Sequence, residues 1–170
     1  MGRVKHGDHL KANGMHRIGE TQFFMDENCR TKKVTFKQLK LAKGKRSSIQ
    51  TAVGKLGYDC PELAYEKYEG GHLIGDQFDH DATRENLVPM CFQLNRSRYK
   101  TMENVWSKSL KNNVGVLNGT ITISYFEGTS CPCFIDVCCT IGEEQMGWHF
   151  VHSEMFIGNS VNDTYKDLFV

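Results

Sequence analysis

Apolar and polar positions alternate near both ends of the chain, and a helical period lies between them. Thr21–Met25 reads as a strand, Asp26-Glu27-Asn28 as a turn, and residues 33–39 as the returning strand, with Val34 and Phe36 in alternation. Further strands are expected at about residues 118–126, 133–141 and 147–157, with Gly128-Thr129-Ser130 between the first two. In the middle, Tyr99, Met102, Val105, Trp106 and Leu110 recur at helical spacing. One helix is therefore expected over 94–111, ended by Asn112-Asn113-Val114-Gly115. Two short apolar runs precede it. The first, 72–74, is a short strand; the second, 86–88, is a strand that Pro89 ends or places at an edge. Residues 75–85 between them form a polar turn region rich in Asp. Residues 48–56 are ambiguous, and residues 59–65, with Pro61 near a first turn, look like a helix start.

The order β–β–α in the middle, with hairpins on both sides, reads as α+β: an antiparallel sheet with flanking helices. Residues 1–20 are poorly patterned and are expected to form a flexible N-terminal arm, leaving 21–170 as a single domain. A chain of 170 residues is long enough for one real core. No apolar run approaches the roughly 18 residues of a membrane span, so no membrane partner is expected. Residues 1–8 lack an apolar h-region, so a cleavable signal peptide is not expected. The chain reads as cytosolic or as an excised domain of something larger.

Charge changes this picture more than composition does. The net charge of +1 conceals thirteen Lys/Arg against five Asp/Glu in residues 1–60, and eight against fifteen in residues 61–170. The densest part, from Arg30 through Lys32, Lys33, Lys37, Lys40, Lys43 and Lys45 to Arg46, contains no acid. Such a run suits a polyanion, because each neutralised phosphate releases counterions. The plainer reading is a solvated face.

The seven cysteines are odd in number and irregular in spacing. Cys131-Pro132-Cys133 and Cys138-Cys139, with His149 and His152, do not match the spacing of structural zinc sites. Buried reduced thiols in a reducing compartment are the expectation. His80 is expected to be solvated, and His149 and His152 to be structural. Tyr99, Met102, Trp106 and Leu110 are expected to be the buried helix face rather than a base-stacking platform.

Candidate chemistry is concentrated between residues 70 and 104. Hydrolysing a phosphodiester needs a base for the attacking water, positive charge at phosphorus, and help for the departing oxygen. A neutral imidazole supplies the first. A hard divalent cation with oxygen ligands supplies the others. His72 follows Gly70-Gly71, which permit close approach of backbone or phosphate. Asn86 opens the second apolar run, where its amide can bond the backbone beside the histidine. Asn95 lies near the helix start and offers a carbonyl oxygen. Glu103 lies eight residues further, which on one regular helix is about 80° around and about 12 Å along the axis. Both cannot then ligate one ion directly, so Asn95 is the expected ligand and Glu103 acts through water.

Gly-Gly-His-Leu-Ile-Gly at 70–75, Asn-Leu-Val-Pro at 86–89, Leu-Asn-Arg at 94–96 and Met-Glu-Asn-Val-Trp at 102–106 resemble the DNA/RNA non-specific endonucleases. These belong to the ββα-metal, or His-Me finger, nucleases. The resemblance is closest to the branch found as toxin domains of bacterial secreted polymorphic toxins. It implies a ββα-metal core at about 69–111. It also implies His72 as general base, Asn95 as metal ligand, Glu103 as the acid orienting metal-bound water, and Asn86 as support for the site. Magnesium or manganese is the implied cofactor, with DNA as substrate, RNA as a further one, and 5′-phosphate products. An immunity protein that blocks the cleft is the implied partner. Secretion within a larger toxin and action in the target-cell cytoplasm are implied as well. Many relatives have Asp-Arg-Gly-His, whereas this chain has Glu69-Gly70-Gly71-His72. Arg46, Arg96 and Arg98 are the candidates to take over substrate contact from the absent arginine, with Arg84 a further one. That absence also motivates a rival reading, a non-catalytic nucleic-acid-binding or interaction module on a nuclease scaffold.

Overall fold

The alternating segments from both ends of the chain meet in one six-stranded antiparallel sheet, in the order β1-β2-β3-β6-β7-β8. The computed structural model describes residues 9–42, 47–59 and 67–152. The sheet strands are β1 (Met15–Ile18), β2 (Thr21–Met25), β3 (Thr31–Gln38), β6 (Val116–Tyr125), β7 (Pro132–Ile141) and β8 (Glu144–Val151). The protein is thus α+β. β1 is the element the sequence hid. Expected within a loose arm, Met15–Ile18 pairs antiparallel with β2 along the sheet edge. Its alternation is between exposed and half-buried positions, which gives a weak signal.

β3 and β6 are sheet neighbours, yet residues 39–115 lie between them. The ends of this excursion meet where Leu39 N–H donates to the Val116 carbonyl at 3.0 Å. Within it run α1 (Ile49–Lys55), β4 (Tyr68–His72), β5 (Leu87–Cys91), α2 (Phe92–Arg96) and α3 (Arg98–Lys111). The ambiguous segment at 48–56 is therefore mainly helix, while the helix start expected at 59–65 lies largely outside the described residues. The single helix expected over 94–111 is two, broken at Ser97, whose φ of −117° and ψ of −86° are not helical. The last strand starts earlier than expected, at Glu144.

α3 presents Tyr99, Met102 and Trp106, each almost fully buried, to one face of the sheet. Trp106 meets Phe36, Phe78 and Trp148 edge to face, with centroids 6.0, 5.7 and 6.1 Å apart. Such pairs add about 0.5–1.5 kcal/mol each beyond burial. Phe36 also lies over Gly119 on β6, where a Cβ would fall 1.9 Å from its ring. β5 is buried on both faces: Val88 and Met90 join the main core, while Leu87 packs with Ile49, Val53 and Ala82. The β4–β5 hairpin is therefore a layer between the core and α1.

Two expectations need correction here. Cys131 is disulfide-bonded, while Cys29, Cys91, Cys133, Cys138 and Cys139 are in no disulfide. The uniformly reduced reading fails at Cys131, because spacing along the chain says nothing about approach in space. His80 is buried rather than solvated. Its Nδ1–H donates to the Phe78 carbonyl at 2.8 Å, so its Nε2 accepts from the Thr21 hydroxyl at 2.8 Å. Burial lowers its pKa, in keeping with a neutral ring. Among the described residues no helix is long and apolar enough to cross a membrane.

Candidate active site

The strand expected at 72–74 lies slightly earlier, so that His72 ends β4 and pairs with Leu87 of β5. Pro89 fits inside β5, opposite Gly70, because a two-stranded sheet leaves an edge where its missing N–H is not needed. Beyond His72 the chain leaves the ladder and returns at Asn86. Asn86 closes that excursion with its side chain. Its Oδ1 accepts from Ile74 N–H at 3.0 Å, and its Nδ2 donates to the Ile74 carbonyl at 2.8 Å and the Asp81 carbonyl at 3.3 Å. Leu73 N–H donates to the Asn86 carbonyl at 2.9 Å. The Tyr99 hydroxyl bonds the Leu73 carbonyl at 2.8 Å, tying α3 to the same point. With Leu73 and Ile74 fully buried, the backbone around His72 has little freedom.

A cleft of about 950 Å³ opens beside this point, and His72, Asn95, Glu103 and Arg96 all line it. The break at Ser97 is what brings Asn95 and Glu103 to one cleft, since the turn relation of a continuous helix no longer applies. Asn95 donates its Nδ2 to Glu69 Oε2 at 3.0 Å. A carboxylate only accepts, so this bond fixes the amide orientation and reserves the Asn95 oxygen as an acceptor. Arg96 clamps the same Glu69 in bidentate fashion, at 2.6 and 3.1 Å. That hydrogen bond is the main reason the Glu69 carboxyl is held below its ordinary pKa, against partial burial.

Glu103 is the opposite case. Burial pushes its pKa up, although Lys100 Nζ at 3.1 Å and the Gly75 N–H pull it down. Gly75 leaves the room this carboxylate occupies: a Cβ there would come within 2.3 Å of Glu103 Oε1 and push the carboxylate aside. The place of the absent arginine has an equally plain cause. α1 packs directly on β4, and a Cβ on Gly70 would lie 2.3 Å from the Gln50 carbonyl oxygen. Gly54 approaches Glu69 and Gly70 in the same way. No side chain fits at position 70 while α1 holds this position.

The expected substrate-contact residues separate. Arg96 is on the cleft but committed to Glu69. Arg98 lines a different depression, with Phe92, Leu94 and His152. Arg46 lies outside the described residues. Lys55, Lys67 and Lys100 are cations on the cleft wall that the motifs did not single out. Only Lys100 had a signal, its i,i+3 spacing to Glu103. Asn86 does not line the cleft and acts by holding the backbone. Asp76 reaches the wall, whereas Asp79 and Asp81 are exposed away from it. Lys33 and Lys37 of the basic strand alternate with buried Val34 and Phe36. They therefore face solvent on the side of the sheet opposite α3 and the hairpin.

The model of one family, described as DNA/RNA non-specific endonuclease, matches residues 12–142. The chain belongs to this family. The match takes in all of the inserted excursion and every sheet strand except β8. As a non-specific endonuclease, the protein is a hydrolase whose substrate is nucleic acid. The cleft at the end of β4 is concave and lined mainly by polar side chains.

Proposed function

We propose that this nuclease is metal-dependent and cuts DNA with little regard to sequence, and RNA by the same chemistry, at the cleft beside His72. The observation behind this reading is that His72, Asn95 and Glu103 all line one cleft. The hairpin, the loop 73–86 and the two helices correspond to a ββα-metal finger. His72, at the strand end, accepts the proton of the attacking water. Water oxygen bonds to phosphorus, the P–O3′ bond breaks, the departing O3′ takes a proton from solvent water, and a 3′-hydroxyl and a 5′-phosphate remain. Asn86 fixes the backbone at Ile74, two residues beyond His72, and so steadies the strand end that carries the imidazole. Glu103 orders water in the cleft through its carboxylate, itself fixed against Gly75 and Lys100.

The donor set fits a hard divalent ion, magnesium or manganese. The Asn95 oxygen, oriented by Glu69, would hold it, with Glu103 behind. Such an ion, when bound, supplies the positive charge that stabilises the phosphoryl and leaving oxygens. With position 70 closed to an arginine, Lys55, Lys67 and Lys100 take over phosphate contact from the cleft wall.

As the toxin domain of a larger secreted bacterial effector, such a nuclease acts in the target cell and needs an immunity protein in its producer. The cations of the cleft wall favour an acidic inhibitor. The deciding experiment uses supercoiled plasmid with magnesium, with and without EDTA, on the wild type and His72→Ala. Fragments from the wild type alone, lost with EDTA, are expected. A mobility shift with no fragments from the wild type would instead favour the binding module.

A further inference from the structure

A second group of metal-binding side chains lies away from the cleft, at the edge of the sheet. His9, His16 and Glu85 bring three ligand atoms within 4.8 Å of one another, the only such group of His, Cys, Asp and Glu among the described residues. His9 Nε2 is 3.3 Å from Glu85 Oε2. The two imidazoles stand edge to face, centroids 5.4 Å apart and planes at 79°. Each member comes from a different part of the fold: His9 precedes the sheet, His16 lies on β1, and Glu85 immediately precedes Asn86.

We propose that His9, His16 and Glu85 bind a divalent ion of the zinc class, which clasps the N-terminal segment and β1 to the loop that carries Asn86. Two imidazoles and one carboxylate suit zinc and its borderline neighbours, with water completing a four-coordinate shell. Magnesium prefers octahedral oxygen and is a poor match. Bonds of about 2.1 Å to such an ion place donors about 3.4 Å apart. The His9–Glu85 pair already has that spacing, and His9, with a side chain 55% exposed, is free to let the third donor close in. Glu85 supplies the fixed point. Its side chain is only 7% exposed, and its backbone carbonyl accepts from the buried Thr31 hydroxyl at 2.7 Å. A buried carboxylate facing two imidazoles is better satisfied by a shared cation than by a single imidazole contact.

This site is independent of the reading of the cleft. It predicts that zinc stabilises the fold by binding the native state alone. The test titrates zinc into the full chain in millimolar magnesium, with binding read by calorimetry and stability by thermal melts. One saturating zinc per chain and a raised Tm are expected. The His9→Ala/His16→Ala variant should bind at least about tenfold more weakly, since losing direct ligands costs no less than losing the groups that orient them. It should also lose the rise in Tm. His16→Gln, which keeps the bulk of the β1 side chain, serves if the double variant is not native by circular dichroism. His149→Ala should bind like the wild type. Cobalt in place of zinc should give visible absorption without a thiolate charge-transfer band. Equal affinity in wild type and His9/His16 variants, a thiolate band at the first equivalent, or no saturable binding at micromolar zinc would overturn the site.

Discussion

The sheet and the excursion between β3 and β6 are built on different principles. In the sheet, apolar side chains alternate with polar ones and pack in bulk against Trp106 and its aromatic neighbours. In the excursion, position is set by a few polar clamps and close glycines: Asn86 on Ile74, Glu69 on Asn95, Gly75 under Glu103, and Gly70 under α1. Bulk packing tolerates small errors and stores stability. Clamps of this kind aim side chains but contribute less to folding, so a single substitution there strikes chemistry first.

The sharpest break of this contrast is at His72. Its replacement by Ala should lower plasmid cleavage by about 10²–10⁴-fold, the usual contribution of a general base, with the melting curve nearly unchanged. Equal loss of Tm and activity would place His72 among the structural residues. Trp106→Ala should act the other way. It should cost about 3–5 kcal/mol in denaturant unfolding, and activity per folded molecule should survive at low temperature.

A pH series then separates buried from exposed histidines. His152 is buried, its Nε2 accepts from Cys91 N–H at 2.9 Å, and burial lowers its pKa to about 4. Unfolded, it binds a proton near pH 6.5. The unfolded state therefore holds more protons between those values, and stability should fall as pH drops through that window, by about 3 kcal/mol in all. His152→Gln should flatten that slope; an unchanged slope would assign it to other groups. The smallest stability effect is expected at Glu103. Its raised pKa means that the neutral form suits the fold. That contribution is present at low pH and is lost as pH rises through the folded value. At neutral pH Glu103→Gln should thus hold or slightly raise Tm while cleavage drops steeply. A clear loss of Tm would show that the Lys100 and Gly75 contacts outweigh desolvation.

The same contrast governs what could be read beforehand. Val34, Phe36, Tyr99, Met102 and Trp106 betray their elements through period alone, because burial in bulk leaves a pattern along the chain. His72, Asn86, Asn95 and Glu103 were legible as a motif, and all but Asn86 meet at the cleft. The break at Ser97 carried only a faint signal: Ser is neither Gly nor Pro, and the apolar period merely lapses there, with Ser97 and Arg98 three and four residues after Leu94. Glu69 could not be tied to Asn95 and Arg96 without the hairpin that brings them together. The basic strand looked like a nucleic-acid surface, but strand alternation turns Lys33 and Lys37 to the far side of the sheet.

The insertion of residues 39–115 between two neighbouring strands also has a kinetic consequence. Pairing β3 with β6 closes a long loop, and the entropy of that closure in a flexible chain is about 4 kcal/mol. Contacts of such sequence separation slow folding. Local structure in α3 and the β4–β5 hairpin shortens the effective loop before the central seam forms. The excursion therefore has to be at least partly assembled for the scaffold around it to close, and a substitution that unravels it should slow refolding of the whole chain.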